Sequence, residues 1–411
     1  MTDNGRRADE ICRRNADRFL EIFRHCHMYP EVSLSEYGTT EYIKEIMAGL
    51  GIPLHGPQPE TGAVFLLEGD SPGPCVALRA DIDALPVAEQ STCPFPSVNE
   101  GVMHACGHDM HYGSLLCAAV ILSQMRDAVK GSVKFIFQPA EEINMGAKLL
   151  IPAGVLEDPH VDAIYSFHNT AEIPTGSVAV IHGPIMASVD DLTVTVRGKG
   201  GHGGIPHRAA DPVVAAAAVI MALQTVVSRN VSPADSGVVT VASVIAGGEH
   251  IQNIIPDEVR MYGTVRAYRD DTEHMMWERI RRICSSAAEA YGCEADVEII
   301  HHLPVTDNLP DDGRRDLYGL ALRSVEEAGA IAVTAEPSGG GDDFSMYMKG
   351  VGGNPGTAGF FYWLGVGNRD KDCVYSWHSP RYRADTDALP VGAKLFAMSA
   401  LLTLEEFGAE D

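Results

Sequence analysis

The sequence predicts an α/β domain interrupted by a small inserted domain of order β-α-β-β-α-β. Three observations carry this expectation. Short continuous apolar runs alternate with helical patterns through residues 1–185, the order of elements changes over 189–301, and α/β character resumes afterwards. A chain of 411 residues also exceeds one ordinary hydrophobic core, so two domains are expected.

The first domain opens with Ala16, Phe19, Leu20 and Phe23 at helical spacing. Thr39 is placed to cap a helix carrying Ile43, Ile46, Met47 and Leu50, with Gly51 as its stop. Apolar runs at Cys75–Leu78, Val133–Phe137 and Ala163–Phe167 read as strands of a buried sheet. In the insert, strands are expected at Leu192–Val196, Val238–Val244, Val259–Val265 and Ala295–Ile300. Helices are expected at Asp211–Ser228, with Pro212 in its first turn, and at Glu273–Ala290. This is a ferredoxin-like unit. A helix over Arg314–Ala328, a strand at Gly359–Leu364 and a helix after Pro390 return the chain to the first domain. The expected division is therefore 1–188 with 302–411 as one domain and 189–301 as the insert, both termini belonging to the former.

Composition narrows the function. Hydrophobic residues make up 45% and charged residues 21%, a globular balance. The 56 acidic against 31 basic side chains give −25, a charge that repels phosphate backbones and anionic lipid. Neither nucleic acid nor a membrane is an expected partner; a small molecule is. The opening residues lack the apolar run of a secretory leader, and no uninterrupted apolar stretch approaches a membrane span. Nine scattered cysteines suit a reducing, cytoplasmic compartment.

Five blocks carry chemistry. Leu78–Pro86 ends an apolar run in Asp81 and Asp83, which taken alone reads as an acidic loop. His104-Ala-Cys-Gly-His-Asp-Met-His111 packs three His, one Cys and one Asp into eight residues, and Gly107 lets Cys106 and His108 face one point. Imidazole and thiolate suit zinc and its neighbours. Glu141 and Glu142 follow a strand and Pro139, so one can bind metal while the other handles a proton. His168 at a strand end and His378 in Trp377-His-Ser-Pro complete the set; each alone is more often structural. Four strand ends and one loop thus offer metal-type side chains. In the insert, the Gly-rich loop Gly198–His207 lacks any phosphate-binding arrangement but brings His202 and His207 close to a ligand. Asn253 and Arg266 are further polar candidates, Arg266 reading equally as a surface strand residue or a carboxylate clamp. Gly341, before Asp342-Asp343-Phe344-Ser345, lines a substrate floor or a plain turn.

In this order the blocks, together with Arg24-His-Cys-His-Met-Tyr-Pro-Glu31, resemble the M20 metallopeptidase family, and most closely its amidohydrolase branch of hippurate, N-acyl-amino-acid and auxin-conjugate hydrolases. The resemblance implies a zinc-peptidase-like catalytic domain and an inserted lid that mediates a homodimer or higher homo-oligomer. It implies Cys106, His108, Glu142, His168 and His378 as ligands of one or two divalent ions, Zn or Mn, with Cys106 placed to bridge two. It further implies Glu141 as general base, Asp83 as the carboxylate orienting a ligand, His202 as an oxyanion donor across subunits, and Asn253 and Arg266 as holders of a substrate carboxylate. Met110, Asp342 and the pair Asn169-Thr170 depart from the family pattern beside the expected pocket. The expected reaction is metal-assisted cleavage of an N-acyl or aroyl amino acid. A dipeptidase, a hydrolase of another aromatic-amine or carbamoyl substrate, and a non-catalytic metal binder are the alternatives.

Overall fold

In the computed structural model, which describes residues 1–248, 251–308, 315 and 317–409, the chain forms two compact units. The first comprises Met1–Gly183, Asn308–Glu336 and Asp343–Asp411, and the second Pro184–Asp307 with Pro337–Asp342. Residues 184–188, 302–307 and 337–342 differ from the sequence expectation, which left them in the first domain. For the last of these the backbone explains the difference: Ala187 N donates to Ser338 O (3.0 Å) and Gly340 O (3.1 Å), and Ser338 N donates to Ile185 O (2.9 Å).

A seven-stranded mixed sheet builds the first unit, in the order Ala63–Glu68, Lys130–Gln138, Ser71–Asp81, Ala163–Pro174, Gly359–Gly367, Ser177–Ala179, Ile331–Val333. The second to fifth of these run parallel, so their carboxyl ends lie along one edge. Helix His108–Ser123 is buried from His108 to Leu122, and Leu389–Gly408 packs beside it. Among the described residues two helices, Pro212–Asn230 and the stretch Thr386–Gly408, have the length and apolar composition of a membrane span; the second is 83% buried inside this unit, which accounts for its composition.

Three local expectations need correction. Thr39 lies inside helix Tyr37–Gly49 and does not cap it; the Glu31 carboxylate accepts from Gly38 N (3.1 Å) and Thr39 N (2.7 Å) and takes the capping role. His168 is inside its strand, which runs on to Pro174 because the Gly359–Gly367 strand pairs with it on that side. The Cys106–His108 block sits at a helix N-terminus, where Gly107 at φ 88° turns the loop into the helix, and not at a strand end. Within the described residues the helix expected over 314–328 is Tyr318–Glu327; Arg314 lies outside them.

The second unit is a four-stranded antiparallel sheet in the order Glu294–Leu303, Val189–Arg197, Glu258–Ala267, Gly237–Ala246. Helices Pro212–Asn230 and Asp270–Glu289 supply the rest of a β-α-β-β-α-β order. Leu192, Val194, Val196, Val259, Met261 and Val265 alternate onto one face and pack against Ala215, Val219, Leu223, Met276 and Ile280. Asp211 caps the first helix, accepting from Val213 N at 2.9 Å, with Pro212 behind it. The outward side of that helix leaves Val213, Val214 and Met221 exposed, as the edge strand leaves Val244 and Ile245.

Candidate metal centre

All five sequence-predicted ligands lie in the first unit, and the backbone brings them together. Glu141 and Glu142 follow Gln138-Pro139 at the end of one parallel strand, Asp81 and Asp83 the end of the next, and His168 projects from the third. Three positions in the left-handed region aim the remaining groups: Gly107 (φ 88°), Ala140 (φ 57°) and His378 (φ 61°). Non-glycine residues hold that conformation at a cost that surrounding contacts must offset. Here His378 N donates to Ala105 O (2.9 Å), and Ala140 N to the buried Glu36 carboxylate (2.9 Å).

Cys106 Sγ stands 3.3 Å from His168 Nε2. His108 Nε2 is 3.9 Å from both Glu141 Oε2 and Glu142 Oε1, and His378 Nε2 is 3.6 Å from Glu142 Oε2. The groups with metal-site spacing among the described residues include Cys106–His108–His168, Cys106–Glu142–His378 and His108–Glu141–Glu142. Tautomers follow from the outer contacts. His108 Nδ1 donates to Asp83 O (2.9 Å) and Oδ1 (3.3 Å), and His168 Nδ1 donates to Asn169 O (2.8 Å), which points both Nε2 atoms toward the cluster. Asp83 is itself held by Ser33 Oγ (2.7 Å) and Glu142 N (3.1 Å).

Burial and charge shape the titration of these groups. Burial pushes the Cys106 thiol well above its ordinary range, with Glu142 adding to the effect. Burial alone would lower His108, but Asp81 and the Cys106 sulfur reverse it and hold its pKa well above the usual value. Burial, with His111 and His108 nearby, drives His168 well below it. Burial raises Glu142 against the pull of His108 and His378. His104 is pushed down to about 4, chiefly by burial, and stays neutral.

Sequence reasoning missed the polar layer behind these groups. His111 belongs to the same motif but both its nitrogens are engaged: Nδ1 donates to Asp81 Oδ1 (2.5 Å), and Nε2 accepts from Asn169 N (3.1 Å) and Nδ2 (2.6 Å). Asn169 also donates to Cys106 O (3.2 Å) and Gly107 O (3.1 Å), while its own oxygens accept from Trp377 Nε1 and Tyr382 Oη. One residue, through its side chain and its main-chain carbonyl, thereby ties the Cys106 loop, the His168 strand and the His378 loop together. Arg79, fully buried, bridges Asp81 Oδ2 (2.6 Å) and Asp343 Oδ1 (2.6 Å). The only sequence signal for it was a cation inside an apolar strand.

A Cβ added at Gly107 would fall 2.6 Å from both Asn169 Oδ1 and Tyr382 Oη, at a φ that disfavours side chains. Gly107→Ala is expected to cost about 1–3 kcal/mol in backbone strain alone and to lower metal retention; thermal unfolding and metal analysis of the purified variant check both.

The candidates from the insert lie in the second unit. His202 pairs with Ile254 in a two-stranded ribbon, and Gly203 N donates to Asn253 O (2.8 Å), so His202 and Asn253 are neighbours. His202, His207 and Asn253 are exposed, His207 within the short helical turn Pro206–Arg208. Arg266 is apart from them on the Glu258–Ala267 strand, half-buried, its Nη1 donating to Val265 O (2.9 Å) and Asp190 O (3.3 Å). Gly341 packs on Leu303, whose Cδ1 would lie 3.0 Å from an added Cβ.

Comparison with known proteins decides the family. The sequence pattern of peptidase family M20/M25/M40 matches residues 77–401. The chain belongs to this family. An N-acetylcysteine deacetylase of Bacillus subtilis is 40% identical over 389 residues, covering 94% of this chain and 97% of the relative. A thermostable carboxypeptidase of Saccharolobus solfataricus is 36% identical, with 94% and 95% covered. The crystal structure of a dinuclear metal-binding peptidase of the M20 family from Bacillus subtilis superposes with a TM-score of 0.82 at 36% identity, covering 95% of this chain and 98% of that one. This M20 protein is thus a hydrolase of the amidohydrolase type that uses divalent metal.

The residues present fit such ions. His108 Nε2 and Glu142 Oε1 are buried with no hydrogen-bond partner among the described residues. Buried polar atoms left in this way are destabilising, and a cation supplies the partner they lack. Ligands 2.0–2.3 Å from a tetrahedral ion stand about 3.3–3.8 Å apart, the spacing of Cys106 Sγ from His168 Nε2 (3.3 Å) and of His378 Nε2 from Glu142 Oε2 (3.6 Å).

Proposed function

We propose that the chain hydrolyses the amide bond of N-acyl amino acids. The observation that carries the reading is Glu141 beside a cluster of buried Cys106, His108 and His168, half-buried Glu142 and exposed His378. These five would hold one or two divalent ions, Zn or Mn, Cys106 belonging to both ligand groups. Bound there, a divalent ion lowers the pKa of water and polarises a carbonyl. Glu141 accepts a proton from the attacking water and delivers it to the leaving amine nitrogen. Asp83 holds His108 in the tautomer whose Nε2 faces the cluster.

The lid supplies recognition in this reading. Arg266 and Asn253 receive the substrate's free carboxylate, His202 donates to the developing oxyanion, and His207 and Gly341 border the substrate. The apolar outward surface at Val213, Val214, Met221, Val244 and Ile245 supports a homodimer through the lid, with His202 acting across subunits. The cytoplasm, with its reduced thiols, suits a chain whose nine cysteines are all free.

A second reading, the removal of C-terminal residues, is favoured by the carboxypeptidase relative, and a free carboxylate is common to a peptide's C-terminus and to the N-acetylcysteine in the deacetylase relative's name. The test is a panel of N-acetyl amino acids, their methyl esters, and dipeptides with a free amine. Free amino acid is expected from the N-acetyl acids. Esterification is expected to lower kcat/KM by about 10–150-fold, the loss of one charge-assisted contact of roughly 1.5–3 kcal/mol. Faster turnover of the free-amine dipeptides would move the assignment to a peptidase, and equal rates on acid and ester would remove Arg266 and Asn253 from carboxylate binding.

A further inference from the structure

The loop 86–101, between the Asp83 turn and the Cys106 block, carries a second cluster in the first unit. His27, on helix Ala16–Met28, is buried and points its Nε2 at Glu89 Oε1, 3.3 Å away. Cys93 completes a group whose ligand atoms, one N, one O and one S, lie within 4.8 Å of one another. Other residues hold this arrangement in place. Asp109 Oδ2 accepts from His27 Nδ1 at 2.6 Å, fixing the proton on Nδ1 and presenting Nε2 to the cluster. Ser97 N donates to Glu89 Oε2 (2.6 Å), Ser91 Oγ donates to Glu89 Oε1, and Ser91 Oγ also accepts from Cys93 N (3.1 Å).

We propose that His27, Glu89 and Cys93 form a second site for a zinc-like divalent cation, separate from the catalytic cluster. Three points lead there. A carboxylate behind the far nitrogen of a histidine is the usual support of a metal-ligating imidazole. The 3.3 Å between His27 Nε2 and Glu89 Oε1 is the ligand-to-ligand span of a tetrahedral ion, about 3.3 Å for N and O donors. Cys93 is half-buried while the other eight cysteines are buried, so its side of the cluster is open to an entering ion and to water as the fourth ligand.

The site has a consequence for catalysis. Loop 88–93 is tied to the segment after His378: Gln90 N donates to Pro380 O (2.7 Å), and Arg383 Nη1 donates to Thr92 O (3.1 Å). An ion at Glu89 and Cys93 would brace the loop that bears His378.

The experiment is cysteine alkylation of the native chain, mapped by peptide mass, with and without added zinc. Zinc is expected to slow alkylation of Cys93 by on the order of tenfold, since a metal-bound thiolate is a poor nucleophile. Equal rates would overturn the proposal. A second reading uses cobalt in a Cys106→Ser background, where thiolate-to-cobalt absorption can come from Cys93. That band is expected to vanish in the Cys93→Ser, Cys106→Ser double variant, and its absence from the single variant would equally overturn the site. Neither readout depends on turnover, so failure here leaves the amidohydrolase reading untouched.

Discussion

Glu141→Gln is expected to keep its metal and lose turnover by roughly 10²–10⁴-fold, the range for removing a positioned general base. Glutamine preserves the volume of the side chain and one acceptor oxygen but cannot accept a proton. Glu141 Oε2 lies 3.9 Å from His108 Nε2, and the substitution leaves the five candidate ligands in place. Metal analysis and steady-state kinetics on the same preparation separate the two effects. Near-normal kcat would remove Glu141 from the base role; loss of metal together with activity would make it a ligand.

The second large effect is on stability. Arg79→Met leaves Asp81 and Asp343 buried without their shared cation. Breaking a buried ion pair by removing one partner typically costs about 3–5 kcal/mol. Asp81 also holds His111, so the loss reaches the layer beneath the metal ligands. Burial works against the ionised Asp81 carboxyl, yet His108, Arg79 and His111 hold its pKa well below the usual carboxylate range. Denaturant unfolding of the metal-free protein isolates the term, and a change within about 0.5 kcal/mol, the range of ordinary surface substitutions, would show that the bridge contributes little.

What the sequence disclosed follows from the range of each signal. Strands were legible because short apolar runs bounded by polar residues mark buried parallel strands, and the insert because its strands alternate with period two. Candidate ligands were legible because Cys106, His108 and the Glu pair are dense in metal-type chemistry. Asn169, Tyr382 and Arg79 were not, because their importance comes from partners far along the chain: Tyr382 meets Asn169 across 213 positions and Arg79 meets Asp343 across 264. No local pattern encodes such pairings. The strand bearing His168 was read too short for a related reason, since its extension depends on pairing with the distant Gly359–Gly367 strand. The capping of helix Tyr37–Gly49 by Glu31 escaped because propensity points to the nearest Ser, Thr or Asp and not to a carboxylate reaching from the preceding turn.

The central claim is that these side chains hold divalent metal for amide hydrolysis. Its most direct test strips the protein with chelator, titrates Zn or Mn back, and follows both bound metal and release of free amino acid from an N-acetyl amino acid. Activity absent in the stripped protein and rising in step with the first one or two equivalents bound is the predicted result. Full turnover in the stripped protein, with chelator still present, would contradict it.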